Sequence, residues 1–136
     1  MATHAAVQLA IETRMGALWP DQDVDVRYEN EARKRPTSNH IQLFVRSFRS
    51  VESGYSGGKI LYRRPGVIRA HCFVPAHEGT QEARVMVDTA IGIFEGQQFG
   101  GITCNEGEVE ELGDDGEGFW QVNAKIYFDH DFEVAY

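Results

Sequence analysis

The chain has 136 residues and a net charge of −8, with 42% apolar and 25% charged residues. Those values suit one folded domain with one core, and they exclude collagen-like, coiled-coil and wholly disordered chains. The acidity argues against a general nucleic-acid binder, whose affinity would rest on cations facing phosphates.

The charge is unevenly distributed. Residues 27–69 hold ten Lys/Arg and three Asp/Glu, whereas residues 70–136 hold two and fourteen. A basic middle and an acidic end can neutralise each other within the fold, as solvated loops in balance, or present opposite signs on opposite flanks and favour head-to-tail association. No apolar run approaches the roughly 18 residues of a membrane span, and Met1–Ala10 lacks a basic region followed by an apolar stretch, so a soluble, non-secreted chain is expected. Cys72 and Cys104 sit among apolar residues and read as buried free thiols.

Val7, Ile11, Met15 and Leu18 recur at helical spacing, with Thr3 placed to cap that helix and Pro20 to end it. Val24, Val26 and Tyr28 alternate as a short strand, and a polar loop with the basic run Arg33-Lys34-Arg35-Pro36 follows. Ile41–Phe48 reads as a strand with apolar residues on both faces. Gly54-Tyr55-Ser56-Gly57-Gly58 interrupts an extended pattern that resumes at Lys59–Arg64, so residues 41–64 suggest a long hairpin arm. Beyond a turn at Gly66, Ile68, Ala70, Cys72 and Val74 share one strand face, and Pro75 ends it.

Ala83, Val87, Ala90, Ile91 and Phe94 form one helical stripe, with Thr80 as its expected cap and Gly96 at the stop. Strands over roughly 101–111 and 119–129 follow, joined by the tip Gly113-Asp114-Asp115-Gly116-Glu117-Gly118. In the last strand Val122, Ala124, Ile126 and Phe128 alternate with polar residues. The expected class is α+β: a mostly antiparallel sheet with two helices packed on one face and a projecting β-hairpin arm. Residues 129–136 read as a mobile acidic tail or an added edge strand.

Little catalytic chemistry is visible. Gly54–Lys59 is one residue short of a phosphate-binding loop, and Ile60 stands where a magnesium-binding hydroxyl is needed. The five histidines have neither paired helical spacing nor a cysteine at zinc-finger distance, and His71 reads as a satisfied sheet histidine opposite Cys72. The acidic cluster from Glu106 to Glu117 does not match a calcium loop. No metal, cofactor or enzymatic activity is therefore expected. Glu106, Glu108 and Glu110 alternate along a strand and would line one wet face. Phe99, Phe119, Trp120 and Tyr127 read as core or cross-strand partners, and Trp19 as a helix-end anchor. Arg46, Arg49, Arg63 and Arg64 lie on the expected arm, which cannot bury itself and whose cations need acidic partners.

Several landmarks in this order resemble the tail terminator-like proteins of tailed bacteriophages. They are Leu18-Trp19-Pro20 closing the first helix, Tyr28-Glu29-Asn30, the turn into a strand at Arg64-Pro65-Gly66-Val67-Ile68, and Phe73-Val74-Pro75 leading past Gly79 into the second helix. Phe94-Glu95-Gly96, Gly100-Gly101-Ile102 and Gly118-Phe119-Trp120-Gln121-Val122-Asn123 complete the series. The basic loop at residues 33–35 and the longer middle arm depart from the family pattern.

The resemblance implies a structural virion protein, assembled in the host cytoplasm, that forms a ring, expected to be a hexamer, at the head-proximal end of the tail. It would end tail tube polymerisation and join the tube protein to the head-side connector. Six copies would carry roughly −48 around a channel that DNA crosses without specific binding. Glu106, Glu108 and Glu110 would face that channel, and the arm arginines would bind a partner. A different neck or connector ring protein, or a cytosolic small-molecule-binding α+β domain, are the alternatives.

Overall fold

The computed structural model describes residues 3–21, 23–29 and 36–136, so the basic run Arg33-Lys34-Arg35 lies outside the described residues. Helix α1 spans His4–Leu18. It starts where expected, because the Thr3 hydroxyl accepts the Ala6 N–H at 3.0 Å and so satisfies one of the free donors of the first turn. Trp19, buried beyond its end, donates its backbone N–H to the Met15 carbonyl. Among the described residues no helix is long and apolar enough to cross a membrane.

Strands β1 (Asp25–Arg27), β2 (His40–Ser47), β3 (Val51–Ser56) and β4 (Lys59–Pro75) precede helix α2 (Gln81–Phe94). Strands β5 (Gln98–Phe99), β6 (Ile102–Asp114) and β7 (Phe119–Ala135) follow it. Helix α2 lacks the expected cap, since the Thr80 side chain makes no capping hydrogen bond. Its other end is as expected: Gly96 takes the left-handed conformation at φ 72° that a residue without Cβ tolerates.

All seven strands join one mostly antiparallel, curled sheet in the order β1-β2-β4-β7-β6-β5, with β3 also paired to β4. The pairing of β1 with β2 is parallel. Strands β4 and β7 form a spine, paired without a break from Lys59 opposite Ala135 to Pro75 opposite Phe119. On the other side of β4, β3 covers residues 59–63 and β2 covers residues 66–73.

The pairing changes the expected outline of the arm, since β3 and β4 form the hairpin while β2 pairs with residues 66–73 of β4 in the main sheet, so residues 41–64 are not one arm. No turn separates Arg64 from Val67, because β4 runs straight through Pro65 and Gly66. Gly66 is small for a different reason: a Cβ there would stand 2.4 Å from Cζ of Phe128 and 2.5 Å from the Arg46 carbonyl oxygen. Of the two readings of the carboxyl end, residues 129–135 take the strand, since they continue β7 beside β4.

Alternation settles the faces. Ile68, Ala70, Cys72 and Val74 of β4 and Val122, Ala124, Ile126 and Phe128 of β7 are all buried, in one cluster with Val7, Ile11 and Met15 of α1 and Ala83, Val87, Ala90 and Phe94 of α2. Helix α2 lies against β4, β6 and β7, and α1 lies against α2 and β2. Each fully buried Ile or Phe contributes about 1.5–3 kcal/mol by leaving water. Burial fades along the spine before Val67: residues 59–65 of β4 are exposed or half-buried.

Candidate functional site

The distal part of the spine, with β3 along its edge, places two of the four candidate arginines, Arg63 and Arg64, and Lys59. Arg63 lies opposite Asp131 and donates to both carboxylate oxygens, at 2.8 and 3.2 Å. Lys59 lies opposite Ala135 and reaches Glu133 at 3.2 Å. Arg64 donates from Nε to the Ser50 hydroxyl at 3.2 Å and stacks its guanidinium 4.6 Å from the Phe132 ring centroid. The basic middle and the acidic end of the sequence are thus neighbouring strands, and part of their charge is neutralised inside the chain. The Arg63 guanidinium holds the Asp131 carboxyl below its usual range.

Arg46 and Arg49 lie nearer the body. Arg46 pairs with Glu29 and donates to the Val45 carbonyl at 3.0 Å. Arg49 is exposed beyond the end of β2. Apolar side chains are exposed around the same distal region: Phe48, Val51, Tyr55, Val134 and Tyr136, with Tyr55 and Tyr136 in edge contact at 6.4 Å.

The expected acidic face divides. Glu108 and Glu110 stand directly opposite Lys125 and Asn123 on β7, whereas Glu106 is exposed at an irregularity between Cys104 and Gly107 where β6 carries an extra residue. Glu110 is engaged: Lys125 reaches it at 2.8 Å and the Asn123 amide donates at 3.2 Å. The Lys125 ammonium, more than any other neighbour, lowers the Glu110 pKa. Glu108 accepts from the Tyr127 hydroxyl at 2.9 Å.

The aromatic residues mostly take the places expected of them. Phe119 packs edge-on to Phe73 and His40, and Phe99 packs against Phe94. Tyr127 differs, with its ring exposed and its hydroxyl on Glu108. Cys72 and Cys104 are buried and unbridged; burial pushes the Cys72 thiol up to about 12 and the Cys104 thiol up to about 11. His71 lies on the face opposite Cys72, but its Nε2 is buried without a hydrogen-bond partner among the described residues. The expectation of a satisfied histidine is thereby corrected for Nε2, and sequence reasoning did not single out the neighbouring Arg69. The available signal was alternation, since 67, 69, 71 and 73 must share the face that 68, 70, 72 and 74 leave.

No family model and no curated protein matches the chain. Solved structures do match, among them one with a TM-score of 0.67 at 16% identity, covering 100% of this chain and 99% of that one. At that identity the likeness is one of fold alone.

Proposed function

We propose that the chain is a ring-forming structural protein of the tail terminator type, which caps a tube of stacked subunits and presents a different surface to the connector above it. The observation that carries this reading is the distal part of the β3–β4–β7 sheet, where core burial ends and Phe48, Val51, Tyr55, Val134 and Tyr136 stay exposed. Tyr55 and Val134 both lie opposite Ile60 and Tyr55 meets Tyr136, so these three gather on one side of the hairpin as a contact surface, whereas Val51, opposite Arg63, faces the other side. In this reading both helices pack on one face, the β3–β4 hairpin braced by β7 is the arm, and the arm seats on the next subunit. A heterologous contact of this kind closes into a ring when its rotation permits. The order of sequence landmarks, from Leu18-Trp19-Pro20 to Gly118–Asn123, supports the same assignment.

Arg49, exposed at the base of the arm, is the arm cation left to meet a partner, while Arg46, Arg63 and Arg64 shape the arm through their own contacts. Glu106 and Glu108 supply the negative surface of the channel; Glu110 contributes less because Lys125 faces it. Native mass spectrometry and negative-stain micrographs of the purified chain test this reading. A closed ring is expected, and a monomer at high protein concentration overturns it.

A further inference from the structure

The sheet face away from the helices holds a groove of about 360 Å³ between β2 and β4, lined by Phe44, Arg46, Phe48, Val67, Arg69 and His71. Register brings these side chains together: Phe44 lies opposite Arg69, Arg46 opposite Val67, and Gln42 opposite His71. Phe44 packs against the His71 ring at 4.7 Å, and the Arg46 guanidinium lies 5.6 Å from the Phe44 centroid.

The charges in this groove are unbalanced. Arg69 is half-buried, and among the described residues it has no ion pair or hydrogen bond. Its neighbour across on β7 is Lys125, a like charge already held by Glu110. Cations directly opposite one another destabilise a sheet, and a half-buried guanidinium without an acceptor costs free energy. His71 adds a buried, unpartnered Nε2 beside it. Burial, and next Arg69, disfavour the charged imidazole, and the nearby Glu110 offsets them only in part. Arg46 is part-occupied by Glu29, which already shows a carboxylate meeting this rim.

The missing group is an acceptor with two oxygens in one plane, which a guanidinium fork recognises. A carboxylate suits the surroundings better than a phosphate. Phe44, Phe48 and Val67 offer apolar walls to a short stem, and Glu110, near enough to act on His71, penalises a second negative charge. We propose that this groove is a binding site for a carboxylate on a short aliphatic stem, as a glutamate side chain or a free small carboxylic acid presents it, with Arg69 taking the oxygens and Phe44 and Phe48 the stem. The site does not rest on the ring assignment.

The test follows the His71 ring resonances by NMR in the full chain at neutral pH and about 0.15 M ionic strength, titrated separately with glutarate, a hexaglutamate peptide and inorganic phosphate. Both carboxylates should give a saturable shift of His71, with the other histidines little changed. Tighter binding of hexaglutamate assigns the site to a protein segment, and equal or tighter binding of glutarate assigns it to a free acid. Arg69→Gln should weaken binding at least tenfold without lowering the thermal midpoint, and Arg69→Lys, which keeps the charge but loses the fork, should fall between in affinity. An unsaturable response, an unchanged affinity in both variants, or tighter binding of phosphate than of either carboxylate overturns the proposal.

Discussion

Gly66→Ala tests whether the spine runs unbroken from the body into the distal sheet. The new Cβ would meet Cζ of Phe128 at 2.4 Å, its Cε1 at 2.8 Å and the Arg46 carbonyl oxygen at 2.5 Å, each well inside the ordinary carbon contact of about 3.5–4.0 Å. Neither neighbour can yield easily. Phe128 is 1% exposed within the core, and Arg46 belongs to the β2–β4 ladder, where it faces Val67. Overpacking costs about 1–3 kcal/mol, and two fixed neighbours put this site at the upper end. Restricting the unfolded chain returns about 0.4–1 kcal/mol, which leaves a net loss of about 2 kcal/mol. For a domain of this size that lowers the thermal midpoint by about 6–10 °C. Calorimetry of the variant reads it directly, and Phe128→Leu combined with it should recover part of the loss as a favourable coupling in a double-mutant cycle. A midpoint within about 2 °C of the parent would refute the close approach and restore Gly66 as a turn residue.

The three carboxylates of β6 should respond differently to charge reversal: Glu106→Lys and Glu108→Lys should stay within about 0.5 kcal/mol of the parent in urea unfolding, whereas Glu110→Lys, which sets three cations together with Lys125 and Arg69, should cost about 1–2 kcal/mol; equal effects at all three would contradict the pairing. In a thiol-reagent assay at pH 8 the native chain should hide both cysteines, whose thiols burial pushes up to about 12 and about 11, and denaturant should release both; rapid native labelling would contradict their burial. Burial also pulls His71 and His130 below the ordinary imidazole range. The unfolded chain then takes up protons first as pH falls through about 6.5. Stability should therefore decline from about pH 7 to pH 5, less so in His71→Gln, and a flat urea midpoint over that window would contradict the shift.

Local rules made part of this molecule legible. The Thr3 cap, the helical stripe from Ala83 to Phe94 and the strict alternation of Val122, Ala124, Ile126 and Phe128 depend on neighbours a few residues away, and the structure has them as expected. Pairings between distant segments were not legible. Arg63 and Asp131 are 68 residues apart, and periodicity carries no information about which strands become neighbours. Residues 129–135 therefore left a tail and an added strand both open, and the pairing with β4 decides for the strand. Pro65-Gly66 misled for a related reason, because the same dipeptide that suits a turn also suits a strand crossed by an aromatic ring. At the candidate sites, the arginines were singled out because a long arm leaving a small sheet cannot bury its cations, yet Arg64 is half-buried. The partners that occupy Arg46, Arg63 and Arg64, and the unpartnered state of Arg69, are products of register.

The proposed capping role meets its most direct test in tube growth. Purified phage tail tube subunits are allowed to polymerise with and without a substoichiometric amount of this chain, and tube lengths and ends are measured in electron micrographs. Capping predicts shorter tubes that carry the protein at one end only. Tubes of unchanged length, with the protein absent from their ends, would contradict it.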